Sequence, residues 1–246
     1  MVIPSIKLVL PINRRDIPVK ERSSDIIAGK LIQSILEGRF KVHEPLQSER
    51  VLSTRFQAGR PTIREALQRL ERDGWITGRK GMPAVVNDYW KQGNLMTIVN
   101  ILEHQEEVPD EFIHHMLELR VSLTPAYFRD AIHHHRLKVI SLFVPLEEVQ
   151  DDARSYADFD WQLQQSVAML SPNPIYLLIL NSFKDFYSRM AEKYFSEPDH
   201  RKASRDYYEK LLDLILKGEI EQAERLIKEM METSLRLWKQ KMTGGN

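Results

Sequence analysis

The stretch GRPTIREALQRLERDGWITGRKG, residues 59–81, decides how the chain begins. Pro61 suits the first turn of a helix, where a missing N–H costs nothing. Behind it, Ile63, Leu67 and Leu70 recur at the spacing of one helical face, and Gly74 stops the run. Trp75-Ile76-Thr77 and Pro83-Ala84-Val85-Val86 are short β-prone runs flanking Gly78-Arg79-Lys80-Gly81, and they read as a hairpin. Upstream, Ser23–Gly38 carries Ile27, Leu31, Ile35 and Leu36 at helical spacing, with Ser24 and Asp25 as N-cap candidates. QSERVLSTRF, residues 47–56, gives a short second helix capped by Ser48. Three short helices followed by a hairpin make a winged helix-turn-helix.

Basic residues gather on this unit. Arg60 and Arg64 are four apart, so they project from one side near the N-terminus of the third helix, with Thr62 between them. Arg69 and Arg72 continue toward its end, Arg50 opens the preceding helix, and Arg79 and Lys80 stand at the hairpin tip beside Gly81. In a helix-turn-helix the N-terminal residues of the second helix meet base edges in the major groove. The arginine fork binds guanine O6 and N7 together. Glu65 and Glu71, acting as partners within the helix, would instead make this a plain solvated helix. Basic residues on the neighbouring helix and the wing weigh against that reading. The net charge of zero hides a split: residues 1–90 carry 16 Lys and Arg against 10 Asp and Glu, and residues 91–246 carry 19 against 25. The basic part is expected to meet something anionic.

The remaining sequence has a different texture. Residues 1–22 read as a flexible arm, 23–88 as the winged unit, 89–95 as a linker and 96–241 as an all-helical domain. Breaks at Val108-Pro109, His133–Arg136, Ser171–Pro174, Glu197–Asp199 and Lys217-Gly218-Glu219 divide that domain into roughly six or seven helices, an all-α bundle. The chain is therefore mainly α. At 246 residues, 42% hydrophobic and 28% charged, its composition is that of a globular protein. No apolar run is long enough for a spanning helix. The absence of cysteine excludes disulfides and thiol chemistry and points to the cytoplasm.

Two apolar stripes in the second half suggest a ligand wall. Phe183, Tyr187 and Tyr194 share a helical spacing, and Met230, Ser234 and Trp238 continue another begun by Ala223 and Ile227. Ser234 puts a hydroxyl into an apolar stripe, where it needs a partner. Arg120 interrupts Phe112, Met116, Leu119 and Leu123, and its guanidinium suits a phosphate or a buried carboxylate. His133-His134-His135 are expected in a connecting turn, and they and His114-His115 are read as surface histidines.

RPTIREAL followed by L-x-x-DGW and a glycine-containing wing resembles the DNA-binding domain of bacterial transcription regulators of the GntR family. The resemblance implies a homodimer on a two-fold-related operator in double-stranded DNA, contacted through Arg50, Arg60, Thr62, Arg64, Lys80 and Gly81. VNDYW, FDWQLQQSVAMLSPNPIYLLILN, FYSRMAEKYF and LRLW resemble the fatty-acid-responsive FadR type of that family. This implies a regulator of fatty acid metabolism that a long-chain acyl-CoA releases from DNA. The acyl chain would lie against Phe183, Tyr187, Tyr194, Met230, Ser234 and Trp238, with Arg120 near the polar CoA end. Many relatives hold a metal through one aspartate and three histidines. Asp160 is retained here, but Gln164, Tyr208 and Met230 stand in the aligned pocket and are poor ligands, so no metal and no cofactor is expected. Gln164 and Met231 also alter the expected pocket wall. The alternatives are a family member sensing a small carboxylic acid and a helical acyl-CoA enzyme. The chain lacks G-x-S-x-G, a phosphate loop and H-E-x-x-H, so no enzyme is expected.

Overall fold

The computed structural model describes residues 22–104 and 107–244, so the expected arm lies outside it except for Arg22. The chain divides into two compact units, Met1–Gly93 and Asn94–Asn246.

The first unit runs α1 (Ser23–Leu36), α2 (Glu49–Phe56), α3 (Arg60–Arg72), β1 (Ile76–Arg79), β2 (Met82–Val86) and α4 (Tyr89–Gln92). Ile27, Leu31 and Ile35 of α1 pack with Leu52 of α2 and Ile63, Ala66 and Leu70 of α3 in its buried interior. Ser24 and Asp25 do not cap α1: Arg22 occupies that position without a side-chain bond, and both residues lie inside the helix. Asp25 is drawn instead to Arg69 of α3, at 2.7 Å. Ser48 does cap α2, accepting the Val51 N–H at 3.4 Å. Gln57 then turns left-handed at φ 51°, which closes α2 and lets α3 begin at once behind Gly59.

The wing is an antiparallel pair in which Ile76 faces Val86 and Arg79 faces Met82. Residues 43–46 add a third edge, with the His43 N–H on Val86 O (2.8 Å) and the Leu46 N–H on Ala84 O (2.7 Å). Gly81 turns the hairpin at φ +75°, a region open to glycine. At Gly78 a Cβ would sit 2.8 Å from Glu71 Oε1, so a side chain there would push the Glu71 carboxylate aside. Tyr89–Gln92, read as linker, is a helical turn whose Tyr89 ring lies 4.8 Å from the buried Trp75 ring.

The second unit contains seven helices among the described residues: α5 (Leu95–Glu103), α6 (Asp110–Ser141), α7 (Ala153–Leu170), α8 (Pro174–Ser182), α9 (Lys184–Phe195), α10 (Pro198–Lys217) and α11 (Ile220–Gly244). Side chains mark several starts: Asn94 and Thr97 form a capping box on α5, Asp152 caps α7 and Asn173 caps α8. A 3₁₀ turn over Val144–Glu148 joins α6 to α7. The long α6 packs along α11 and against α7, and α7 packs on α9.

The histidine triplet corrects the sequence reading. His133–His135 lie within α6 rather than in a connecting turn, and only His135 leaves helical geometry, at φ −141° and ψ 37°. Buried Ile132 and Val139 on either side tie both segments to one core, so the break is a kink. All three histidines are exposed. Among the described residues no helix is long and apolar enough to cross a membrane.

Candidate functional site

A concave face lies between α2, α3 and the wing, lined by Arg50, Arg60, Arg64, Arg79 and Gly81 with Gln47 and Gln68. Its chemistry follows from which charges the fold consumes. Arg69 is paired with Asp25 (2.7 Å) and Arg72 with Asp73 (2.8 Å), so the basic C-terminal end of α3 serves the fold. Arg64 Nε donates to Glu49 Oε2 of α2 at 2.9 Å, which orients it while leaving it largely exposed. Among the described residues, the side chains of Arg50, Arg60, Arg79 and Lys80 have no ion-pair or hydrogen-bond partner. Glu49 and Glu71 line the same face, and the Glu71 carboxylate accepts the Gly78 N–H at 2.9 Å, which anchors the wing to α3. The sequence-selected residues therefore separate. Arg50, Arg60, Arg64 and Gly81 share the concave lining, whereas half-buried Thr62 and exposed Lys80 lie outside it.

The second unit holds its charge inside. Asp160 of α7 is 2% exposed and accepts from five N–H or O–H groups. Arg120 of α6 approaches with two nitrogens, at 3.1 and 3.4 Å. Tyr208 donates at 2.8 Å, Gln164 at 3.0 Å, and Tyr187 completes the set. Tyr127 donates to Gln164 and meets Thr124. Burial works to raise the Asp160 carboxyl, but the Arg120 charge and the hydrogen bonds outweigh it and hold the group below the usual carboxylate range. Of the two partners open to Arg120 from the sequence, it takes the buried carboxylate.

Beside this network is a narrow apolar cavity of about 60 Å³. Met116, Leu119 and Leu123 of α6 face Ile179, Phe183 and Met190 across it, and Tyr187, Tyr194 and Arg120 share its wall. Phe183 belongs to no helix interior: it sits at the break between α8 and α9. A smaller chamber of about 10 Å³ adjoins it through Arg120 and Tyr194 and is lined by Ser204, Tyr207, Met230 and Ser234. Ser234 Oγ donates to Met230 O at 3.0 Å, which gives the odd hydroxyl its partner. Burial pushes the Tyr194 phenol up to about 12, with the Ser234 hydroxyl nearby pulling the other way. The Tyr194 and Tyr207 hydroxyls nonetheless meet no group in hydrogen-bond geometry. Trp238 lines neither space; its indole N–H donates to Asp110 O at 3.0 Å. Tyr127 was missed from sequence, and Tyr208 was singled out there only as a poor metal ligand in the aligned pocket. Asp160 and Gln164, one turn apart, were the visible half of their network.

Residues 24–86 match the bacterial regulatory proteins of the gntR family, and residues 87–243 match the FadR C-terminal domain. The chain is a GntR-family regulator with a FadR C-terminal domain. The fatty acid metabolism regulator protein of Shewanella pealeana is 39% identical over 186 residues, covering 76% of this chain and 78% of that protein. The protein of the same name from Salmonella paratyphi B is 33% identical over 208 residues, 85% of this regulator and 87% of that one. A solved structure described as "Lar controls the expression of the Listeria monocytogenes agr system and mediates virulence" aligns with a TM-score of 0.57 and 18% identity, over 88% of this chain and 96% of that one. That likeness is one of fold.

Proposed function

We propose that this regulator controls genes of fatty acid metabolism as a cytoplasmic homodimer on a two-fold operator, and that a fatty acyl-CoA bound in the second unit releases it. The observation that carries the effector assignment is the apolar cavity bounded by α6, α8 and α9. Its wall offers aliphatic and aromatic contacts, and its one cation is already neutralised by Asp160. Affinity must therefore come from apolar area, about 25 cal/mol per Å² buried, which an acyl chain supplies and a small carboxylic acid does not. The unpaired Tyr194 and Tyr207 hydroxyls of the adjoining chamber are suitable donors for an acyl carbonyl.

Small-acid sensing through a metal is the weaker reading. Asp160 is surrounded by donors, and Gln164 and Tyr208 stand among them as donors rather than ligands. No reaction is assigned to the site. On the DNA side, the concave arginine face supports base reading by Arg60 and Arg64, with Arg50, Thr62, Lys80 and Gly81 as further contacts.

Native mass spectrometry of the full chain with oleoyl-CoA or citrate tests both parts together. The expected spectrum shows two subunits and retained oleoyl-CoA, with no retained citrate. A monomer, or a citrate adduct in place of the acyl-CoA, would overturn it.

A further inference from the structure

The first two turns of α6 carry EFIHHMLE, residues 111–118. Glu111, His114, His115 and Glu118 fall at i, i+3, i+4 and i+7, so all four share one helical stripe. None of them belongs to the Asp160 network or to the lining of either cavity. His114 Nε2 lies 3.2 Å from one Glu118 oxygen, and His115 Nδ1 lies 3.3 Å from the other. A ligand atom from each of the three falls within 4.8 Å of the others. Donors held about 2.0–2.2 Å from a tetrahedral zinc stand roughly 3.3 Å apart, so small side-chain rotations bring these atoms onto one ion.

The surroundings favour that use. Glu111 Oε1 stands 3.9 Å from His115 Nε2, on the far side of the ring, where an outer carboxylate orients a ligating imidazole. His115 and Glu118 are exposed, which leaves room for water to complete the coordination. Two imidazoles with one carboxylate suit zinc, cobalt or nickel rather than the oxygen-seeking magnesium or calcium. The sequence reading that made these plain surface histidines looked for a second histidine one turn away, whereas the residue one turn from His114 is Glu118.

We propose that His114, His115 and Glu118 form a divalent transition-metal site on α6, with Glu111 as the positioning residue for His115. Cobalt(II) titration of the full chain, followed by visible absorption, tests it with zinc as competitor. The expected result is a saturable band at one metal per chain that zinc displaces. His115→Ala and Glu118→Gln each abolish the band, and both exposed substitutions leave the circular dichroism spectrum intact. Glu111→Gln weakens binding about 10- to 100-fold, as loss of an outer partner does. A variant with His133, His134 and His135 all changed to alanine keeps the band. Binding that survives His115→Ala and Glu118→Gln, or the absence of any saturable band, overturns the assignment.

Discussion

Arg60 and Arg120 are the same residue type put to opposite uses. Arg60 opens α3 with no partner for its guanidinium among the described residues. Arg120 is locked onto Asp160 through two nitrogens, at 3.1 and 3.4 Å. In the first unit the fold spends Arg69 and Arg72 on its own carboxylates, pairs Arg64 with Glu49, and leaves Arg50, Arg60, Arg79 and Lys80 without an ion pair among the described residues. A surface built that way has its electrostatic attraction left for phosphates and base edges. In the second unit the charge closes on itself in the interior, and the surface that remains for a ligand is apolar. In the proposed function this contrast gives anion recognition to one unit and chain recognition to the other.

Breaking the buried pair should have the largest effect. Asp160→Ala strands the Arg120 charge and is expected to cost about 3–5 kcal/mol, read by urea unfolding. Removing both charges, as Arg120→Met with Asp160→Leu, should cost less than the sum of the two single changes. A single-variant cost below about 1 kcal/mol would mean that the pair is solvated and the contrast is false.

Acid probes the same group. The folded Asp160 pKa lies below its unfolded value, so its contribution is fully present above the unfolded carboxylate range near pH ~4 and is lost as pH falls through the folded value. Wild-type stability should therefore drop more steeply below pH ~4 than that of Asp160→Asn, in urea titrations at stepped pH. Equal slopes would remove Asp160 from the account.

Smaller effects are expected on the open side. Arg60→Ala should weaken operator binding by about 1–3 kcal/mol per half-site while leaving stability within about 0.5 kcal/mol. Equal losses on operator and random duplex would remove it from base reading. Lys80→Ala, touching phosphate alone, should weaken binding to every sequence alike and reduce the salt slope by about one.

Much of the first unit was legible because its signals are local. Pro61, Gly74, Gly81 and the spacing of Ile63, Leu67 and Leu70 act within a few residues and place α3 to within a residue, while the first wing strand runs on to Arg79, two residues past Thr77. Pairing across elements was not legible. Nothing near Arg69 in sequence announces Asp25, and Glu71 looked like an intrahelical partner until the wing brought Gly78 to it. The second unit shows the same limit on a larger scale. Asp160 and Gln164 share a helix and were visible together, but Arg120, Tyr127, Tyr187 and Tyr208 reach them from three other helices. The stripes also group differently in the fold: Phe183, Tyr187 and Tyr194 share a wall with Met116 and Leu123, Met230 and Ser234 line the neighbouring chamber, and Trp238 lines neither.

The division of labour between the units is tested most directly by fluorescence anisotropy of a labelled operator duplex during oleoyl-CoA titration, with wild type beside Leu119→Trp. Leu119 stands at the exposed edge of the apolar cavity, so an indole there fills the entrance without disturbing the core. Both proteins should bind the operator equally before ligand is added. Wild type should then release it, and Leu119→Trp should need at least about tenfold more oleoyl-CoA, the equivalent of 1.4 kcal/mol of lost ligand affinity. Release of both proteins at the same oleoyl-CoA concentration would contradict the assignment of the cavity as the effector site.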